Sequence, residues 1–162
     1  MVIKDRKPNR LKNFNYSSSG WYFVTICVNK RECVFGKIQN KKMVLNPYGK
    51  IIKKRYLDLI NHYSNCLLDE FVIMPNHVHG IIIIKNVENG LKPFSTKYSL
   101  SEIIRGFKTF SSRSIHELGL NSFRWQKSFY DHIVRNEYSL NRIRQYIRDN
   151  PKNWDEDRNN IK

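Results

Sequence analysis

"CLLDEFVIMPNHVHGIIIIK", residues 66–85, decides how the fold is read. Two apolar, β-branched runs, 66–74 and 77–85, flank the turn dipeptide Pro75-Asn76, so the stretch reads as a β-hairpin. Alternate residues of a strand share a face. His77 and His79 therefore project together, on the face that also carries Ile81 and Ile83. Such a face is at least half buried, and buried imidazoles need partners. Either the fold supplies hydrogen bonds or the pair holds a metal ion.

Working outward, "WYFVTICV" (21–28) is a strand, and short strands around Cys33–Ile38 and Met43–Leu45 make a hairpin beside it. Asn46 as N-cap and Pro47 at the first helical position open a helix over 46–63, with Ile51, Ile52, Leu59 and Ile60 on its apolar side. Residues 86–98 read as a loop. Ser99 and Glu102 form a capping box that starts a helix running to about Leu118. Counted at about 100° per residue, Leu100, Ile103, Ile104, Phe107, Phe110 and Leu118 share one side, and Arg105, Lys108, Thr109, Ser112 and Arg113 the other. "SFYDHIV" (128–134) is a further strand, and 136–150 a final helix that Pro151 stops.

The succession contains a βαββαβ core. The expected fold is α+β and ferredoxin-like, an antiparallel sheet with helices packed on it, ending in a further helix. Residues 1–20 form a basic N-terminal arm, 21–154 a single domain, and 155–162 a polar tail.

Lys and Arg number 29 against 14 Asp and Glu, a formal charge of +15 in 162 residues. That excess points to a polyanion, most commonly nucleic acid. Aromatic residues, 13% of the chain, strengthen this because exposed rings stack on unpaired bases. No apolar run approaches the roughly 18 residues of a membrane span, and no signal segment opens the chain. A cytoplasmic protein with no membrane partner is expected. Cys27, Cys33 and Cys66 form no CxxC pair and read as reduced thiols in or near the core.

Two imidazoles do not complete a metal site. On the last helix, Tyr146 and Asn150 stand at i and i+4, on one flank of the stripe Leu140, Ile143, Ile147. The Asn150 amide oxygen can join the histidines on a metal while the Tyr146 hydroxyl reaches a metal-bound phosphate. The alternative is a boundary tyrosine packing its ring and an Asn capping the helix end.

"GWYFVTICVNKRECVFG" (20–36), "LDEFVIMPNHVHGIIII" (68–84) and "WQKSFYDHIVRNEYSLNRIRQYIRDNP" (125–151) resemble the single-tyrosine HUH transposases, in particular the REP-associated tyrosine transposases. The resemblance runs from about Asn13 to Trp154. It implies that His77 and His79 bind a divalent ion, that Tyr146 is the nucleophile, and that Asn150, four residues on, is the third metal ligand. Tyr130 lies in the preceding strand, and Tyr138 lacks a suitable partner at i+4. Asp131 and His132 are candidates for supporting the site or touching DNA.

The implied activity is metal-dependent nicking of single-stranded DNA and strand transfer through a 5′-phosphotyrosine, in transposition or repeat mobilisation. The ion expected is Mg2+ or Mn2+, the imidazole ligands making Mn2+ a physically reasonable substitute. The substrate implied is single-stranded DNA, often carrying a hairpin. A homodimer with shared sites and a monomer are both open. Phosphate contacts are expected from Arg10 and Lys12 in the arm, with Lys4, Arg6 and Lys7, and from Arg105, Lys108 and Arg113. Two rivals stand beside this reading: a non-catalytic single-stranded nucleic-acid-binding module on the same fold, and a small hydrolase using a metal on His77, His79 and His132.

Overall fold

β1 (Gly20–Cys27) runs through the middle of a four-stranded sheet and sorts its side chains strictly by parity. Tyr22, Val24 and Ile26 enter the larger core, whereas Phe23 belongs to a smaller one on the other face. The computed structural model describes residues 18–86 and 98–160. β4 (Cys66–Ile73), β5 (His77–Ile84) and β6 (Tyr130–Val134) complete the sheet in the order β4-β5-β1-β6, every neighbouring pair antiparallel. The expected hairpin at Pro75-Asn76 joins β4 to β5.

β2 (Gly36–Gln39) and β3 (Lys42–Leu45) form a two-stranded sheet of their own. Asn40 and Lys41 turn between them with φ of 49° and 58°, the left-handed pair that a tight hairpin turn requires. Asn46 caps α1 (Pro47–Leu57), its side chain accepting from Gly49 N at 2.9 Å. The helix expected to continue to 63 breaks at Asp58, and α2 (Leu59–His62) follows. Leu59 is buried, but Ile60 is half exposed rather than part of an apolar face.

α3 (Leu100–Glu117) begins with the full capping box of Ser99 and Glu102. Its buried stripe is Leu100, Ile103, Ile104, Phe107, Ser111 and Ile115; Phe110 and Leu118, expected inward, face out. Ser111 tolerates burial because its hydroxyl donates to Phe107 O at 2.6 Å and accepts from Trp125 Nε1 at 3.0 Å. Phe110 lies against the His62 ring instead, centroids 5.4 Å apart.

α1, α2 and α3 contribute to the larger core on one face of the sheet. α4 (Glu137–Asp149) covers the other face with Leu140, Ile143 and Ile147 against Phe23, Ile81 and Val134. A register shift between Leu68 and Phe71 interrupts the β4–β5 ladder, and the two acids within it anchor α4: Arg144 bonds Asp69 at 2.6 Å and Arg148 bonds Glu70 at 2.5 Å.

Pro151 does not stop the chain's helical course but tightens it into a 3-10 segment, Asn150–Glu156. Residues 157–160, within the polar tail, fold back: Asn159 is buried, and its carbonyl accepts from Asn76 Nδ2 at 2.8 Å. The cysteines are unpaired, but only Cys66 is buried, its thiol pushed up to about 12 by desolvation; Cys33 is exposed rather than packed. Among the described residues no helix is long and apolar enough to cross a membrane.

Candidate active site

The two-residue period of β5 delivers His77 and His79 to the face of the sheet that α4 covers. Their rings lie 4.4 Å apart between centroids, and neither is more than 1% exposed. Asn76, in the turn before them, sets the tautomer of the first. Its Nδ2 donates to the carbonyls of Arg31 and Asn159, each at 2.8 Å, so its Oδ1 is the atom facing His77 Nδ1, also at 2.8 Å. Nδ1 must then carry the proton, and the Nε2 lone pair is left to look into the site.

His79 is held by Thr25, whose Oγ1 lies 2.8 Å from Nδ1, and by Phe23, stacked at 5.4 Å. Trp154 covers His77 from the other side at 6.1 Å. Burial holds both imidazoles below their ordinary value: His77 falls to about 4 although the nearby Asp157 opposes the shift, and His79 falls well below, helped by His77. Both are neutral at pH 7, the form that ligates a metal.

The structure adds a residue the sequence reading left in the tail. Asp157 Oδ2 lies 3.7 Å from His77 Nε2, and His77, His79 and Asp157 place one ligand atom each within 4.8 Å of one another. Asp157 Oδ1 is engaged by the amide of Asn159 at 2.7 Å, which leaves Oδ2 turned inward. Nothing in residue spacing reveals Asp157, because it returns to the site through the 3-10 segment and reads as one charge in an exposed run.

Three buried atoms here lack a hydrogen-bond partner among the described residues: His77 Nε2, Asp157 Oδ2 and Asn150 Oδ1. Leaving one such group unsatisfied costs about 1–3 kcal/mol, so orphans on three residues that surround one site call for a shared partner. Two neutral imidazoles, a carboxylate and an amide oxygen fit a divalent cation.

Tyr146 reaches this cluster from α4, its hydroxyl 3.3 Å from His79 Nε2 and its ring edge-on to Phe23 at 6.0 Å. Burial raises its pKa, as does Asp157; a hydrogen bond from Asn150 and the charge of Arg158 work against the rise. The sequence-chosen His77, His79, Tyr146 and Asn150 are thus neighbours in space. His132 pairs across the ladder with Phe23 and stays exposed, outside the ligand cluster. Asp131 pairs with Val24, so it belongs to the opposite face of the sheet.

The basic candidates fare differently. Lys108 is taken up by the carbonyls of Gln126 and Ser128, at 2.8 and 3.0 Å, and so anchors the loop before β6. Arg105 is exposed, and Arg113 is exposed and paired with Glu117 at 3.0 Å. All three sit on α3, across the sheet from the histidines. Arg10 and Lys12 lie outside the described residues.

Residues 16–150 match the model of the family described as "Transposase IS200 like". The chain belongs to that family. It is 37% identical to an uncharacterized protein of Haemophilus influenzae strain Rd, across 96% of this chain and 93% of that one. Its fold is similar to that of a REP-associated tyrosine transposase solved bound to a REP hairpin, with TM-score 0.61, 18% identity, and coverage of 88% of this chain and 72% of that one. It is similar also to a candidate transposase of Deinococcus radiodurans R1, with TM-score 0.52, 16% identity, and coverage of 86% and 96%. Membership of the IS200-like transposases makes this a DNA-processing enzyme of transposition, and the α+β class with an antiparallel sheet under helices is the one these structures share.

Proposed function

We propose that this IS200-like transposase nicks and rejoins single-stranded DNA through a covalent 5′-phosphotyrosine on Tyr146, assisted by a divalent ion on His77, His79, Asp157 and Asn150. The observation that carries the reading is the meeting of the Tyr146 hydroxyl, 3.3 Å from His79, with three buried and unsatisfied ligand atoms. A bound Mg2+ or Mn2+ would offset phosphate charge and orient the group for in-line displacement.

The rest of the chemistry falls to the chain. Tyr146 Oη attacks phosphorus; the Oη–P bond forms and the bond from P to the 3′-oxygen breaks. The phenol proton leaves to water, which reaches the half-exposed ring, and the departing 3′-oxygen takes a proton from solvent. Asn150 counters the effect of burial on the phenol, and Phe23 keeps its ring in place. The phosphotyrosine retains the energy of the broken bond, so the 3′-hydroxyl of another strand can reverse the step without ATP.

Asp157 adds charge to a set that two neutral imidazoles and an amide would leave uncharged. With Asp157 in the set, the protein contributes one negative charge, which strengthens retention of a hard ion such as Mg2+. A DNA hairpin beside the single strand is supported by the net charge of +15 and by the hairpin held in the similar REP-associated structure. Tyr146 reaches the histidines of its own chain, so a monomer suffices for the chemistry.

The test mixes the protein with denatured, fragmented genomic DNA and Mn2+ or Mg2+, and looks for a covalent adduct on denaturing gels. Wild type should form it, and Tyr146→Phe and His77→Ala should not. An adduct that survives Tyr146→Phe would assign the nucleophile elsewhere.

A further inference from the structure

Beside Tyr146, a groove of about 560 Å³ opens between β6 and the start of α4. That volume is ordinary for a small-molecule-sized ligand. Its floor is Phe23 and the Tyr146 ring; its rim carries Tyr130, Tyr138 and Arg142. Both rim tyrosines reach solvent, Tyr130 at 43% exposed with its ring edge-on to Phe23 at 6.5 Å and Tyr138 at 73% exposed. Each has a guanidinium over its ring, Arg158 over Tyr130 and Arg142 over Tyr138, both at 5.8 Å. Asn136 uses its Oδ1 to cap α4, accepting from Ser139 N at 2.8 Å, which leaves its NH2 group to donate into the groove.

Ring faces, fixed cations and an amide edge around one concavity are complementary to a nucleotide: the rings stack an unpaired base, the guanidinium groups meet flanking phosphates, and the amide reads a base edge. We infer that this groove receives the unpaired base of the nucleotide on the 3′ side of the nick. The polarity rests on the nicking reading above. In-line displacement sends the leaving 3′-oxygen to the side of phosphorus opposite Tyr146, so the nucleotide whose 5′-phosphate stays on Tyr146 is the one next to its ring.

The groove is tested apart from the chemistry. Tyr146→Phe protein, free of metal, is irradiated with a thymidine oligonucleotide carrying 5-iodouracil, and the crosslinked peptides are mapped. Crosslinks should fall on Tyr130 or Tyr138. Tyr138→Ala and Arg142→Ala, both surface changes, should weaken binding of the same oligonucleotide about tenfold at unchanged melting temperature. Crosslinks confined to other segments, or wild-type affinity in both variants, would overturn the groove. For polarity, iodouracil is placed on either side of the nick in a strand recovered from covalent adducts. The 3′ position should crosslink to the groove, and crosslinking only from the 5′ position would reverse the assignment. Groove crosslinks without any adduct would retire the nicking reading and its polarity, leaving a base-binding groove.

Discussion

The Tyr146 hydroxyl lies 3.3 Å from Nε2 of His79 within one chain, and the helix that carries it is tied to the sheet by Arg144–Asp69 and Arg148–Glu70. Hydroxyl and imidazole are therefore held together through local ion pairs and need no second subunit to meet. Mixing Tyr146→Phe protein with His77→Ala protein should restore no adduct, because neither chain holds a complete set. Recovery of activity in the mixture would show that the helix works on a partner's histidines.

Asp157 should govern metal retention. A ligand that binds only the folded state stabilises it by about 2.7 kcal/mol at a hundredfold excess over Kd, so wild-type protein should melt at a higher temperature in Mn2+ than in chelator. Asp157→Ala should lose most of that increment. An equal metal-dependent rise in the variant would remove Asp157 from the ligand set.

Asn76 orients His77 without facing the site. Asn76→Ala frees the imidazole to exchange tautomers and strands the Arg31 and Asn159 carbonyls. Metal affinity should fall about 10–100-fold, the usual effect of losing an outer partner of a metal-binding histidine. Titration calorimetry with Mn2+ measures this directly, and unchanged affinity would mean that Asn76 merely holds the turn.

The Arg144 hydrogen bond lowers the pKa of Asp69 below its ordinary value. A carboxyl depressed in the folded state favours folding fully above its unfolded pKa of about 3.9, and that advantage disappears as pH falls through the lower folded value. The side chains are 28% and 14% exposed, so the pair is worth about 1–2 kcal/mol rather than the full value of a buried one. Urea midpoints compared at pH 7 and pH 3 should show Asp69→Asn less stable than wild type at the higher pH and closer to it at the lower. A gap independent of pH would point to packing rather than charge.

Gly80 faces the larger core, where an added methyl group would run into the hydroxyl of Tyr56, itself stacked on Phe71 at 4.8 Å and fully buried. Gly80→Ala should destabilise the fold by about 1–3 kcal/mol. Gly80→Ala combined with Tyr56→Phe, which removes the clashing oxygen, should recover part of the loss; no recovery would place the clash on the ring carbon Cζ, 2.8 Å from the added methyl, rather than on the hydroxyl.

Much of this protein is legible in its residues because the deciding signals are local. The two-residue period of 77–84 turns both histidines to one face, Asn46 and Ser99 cap helices through their nearest amides, and four residues separate Tyr146 from Asn150 on one helical flank. The tertiary structure decided what depends on return paths and neighbours. Asp157 comes back through the 3-10 segment, whose course no periodicity announces. Lys108 finds backbone carbonyls and Ser111 finds Trp125, whereas Phe110 is left outside, because burial on α3 is set by what faces each side chain and not by its polarity. A short-range pattern fixes where a side chain points; only the closed chain determines what it meets there.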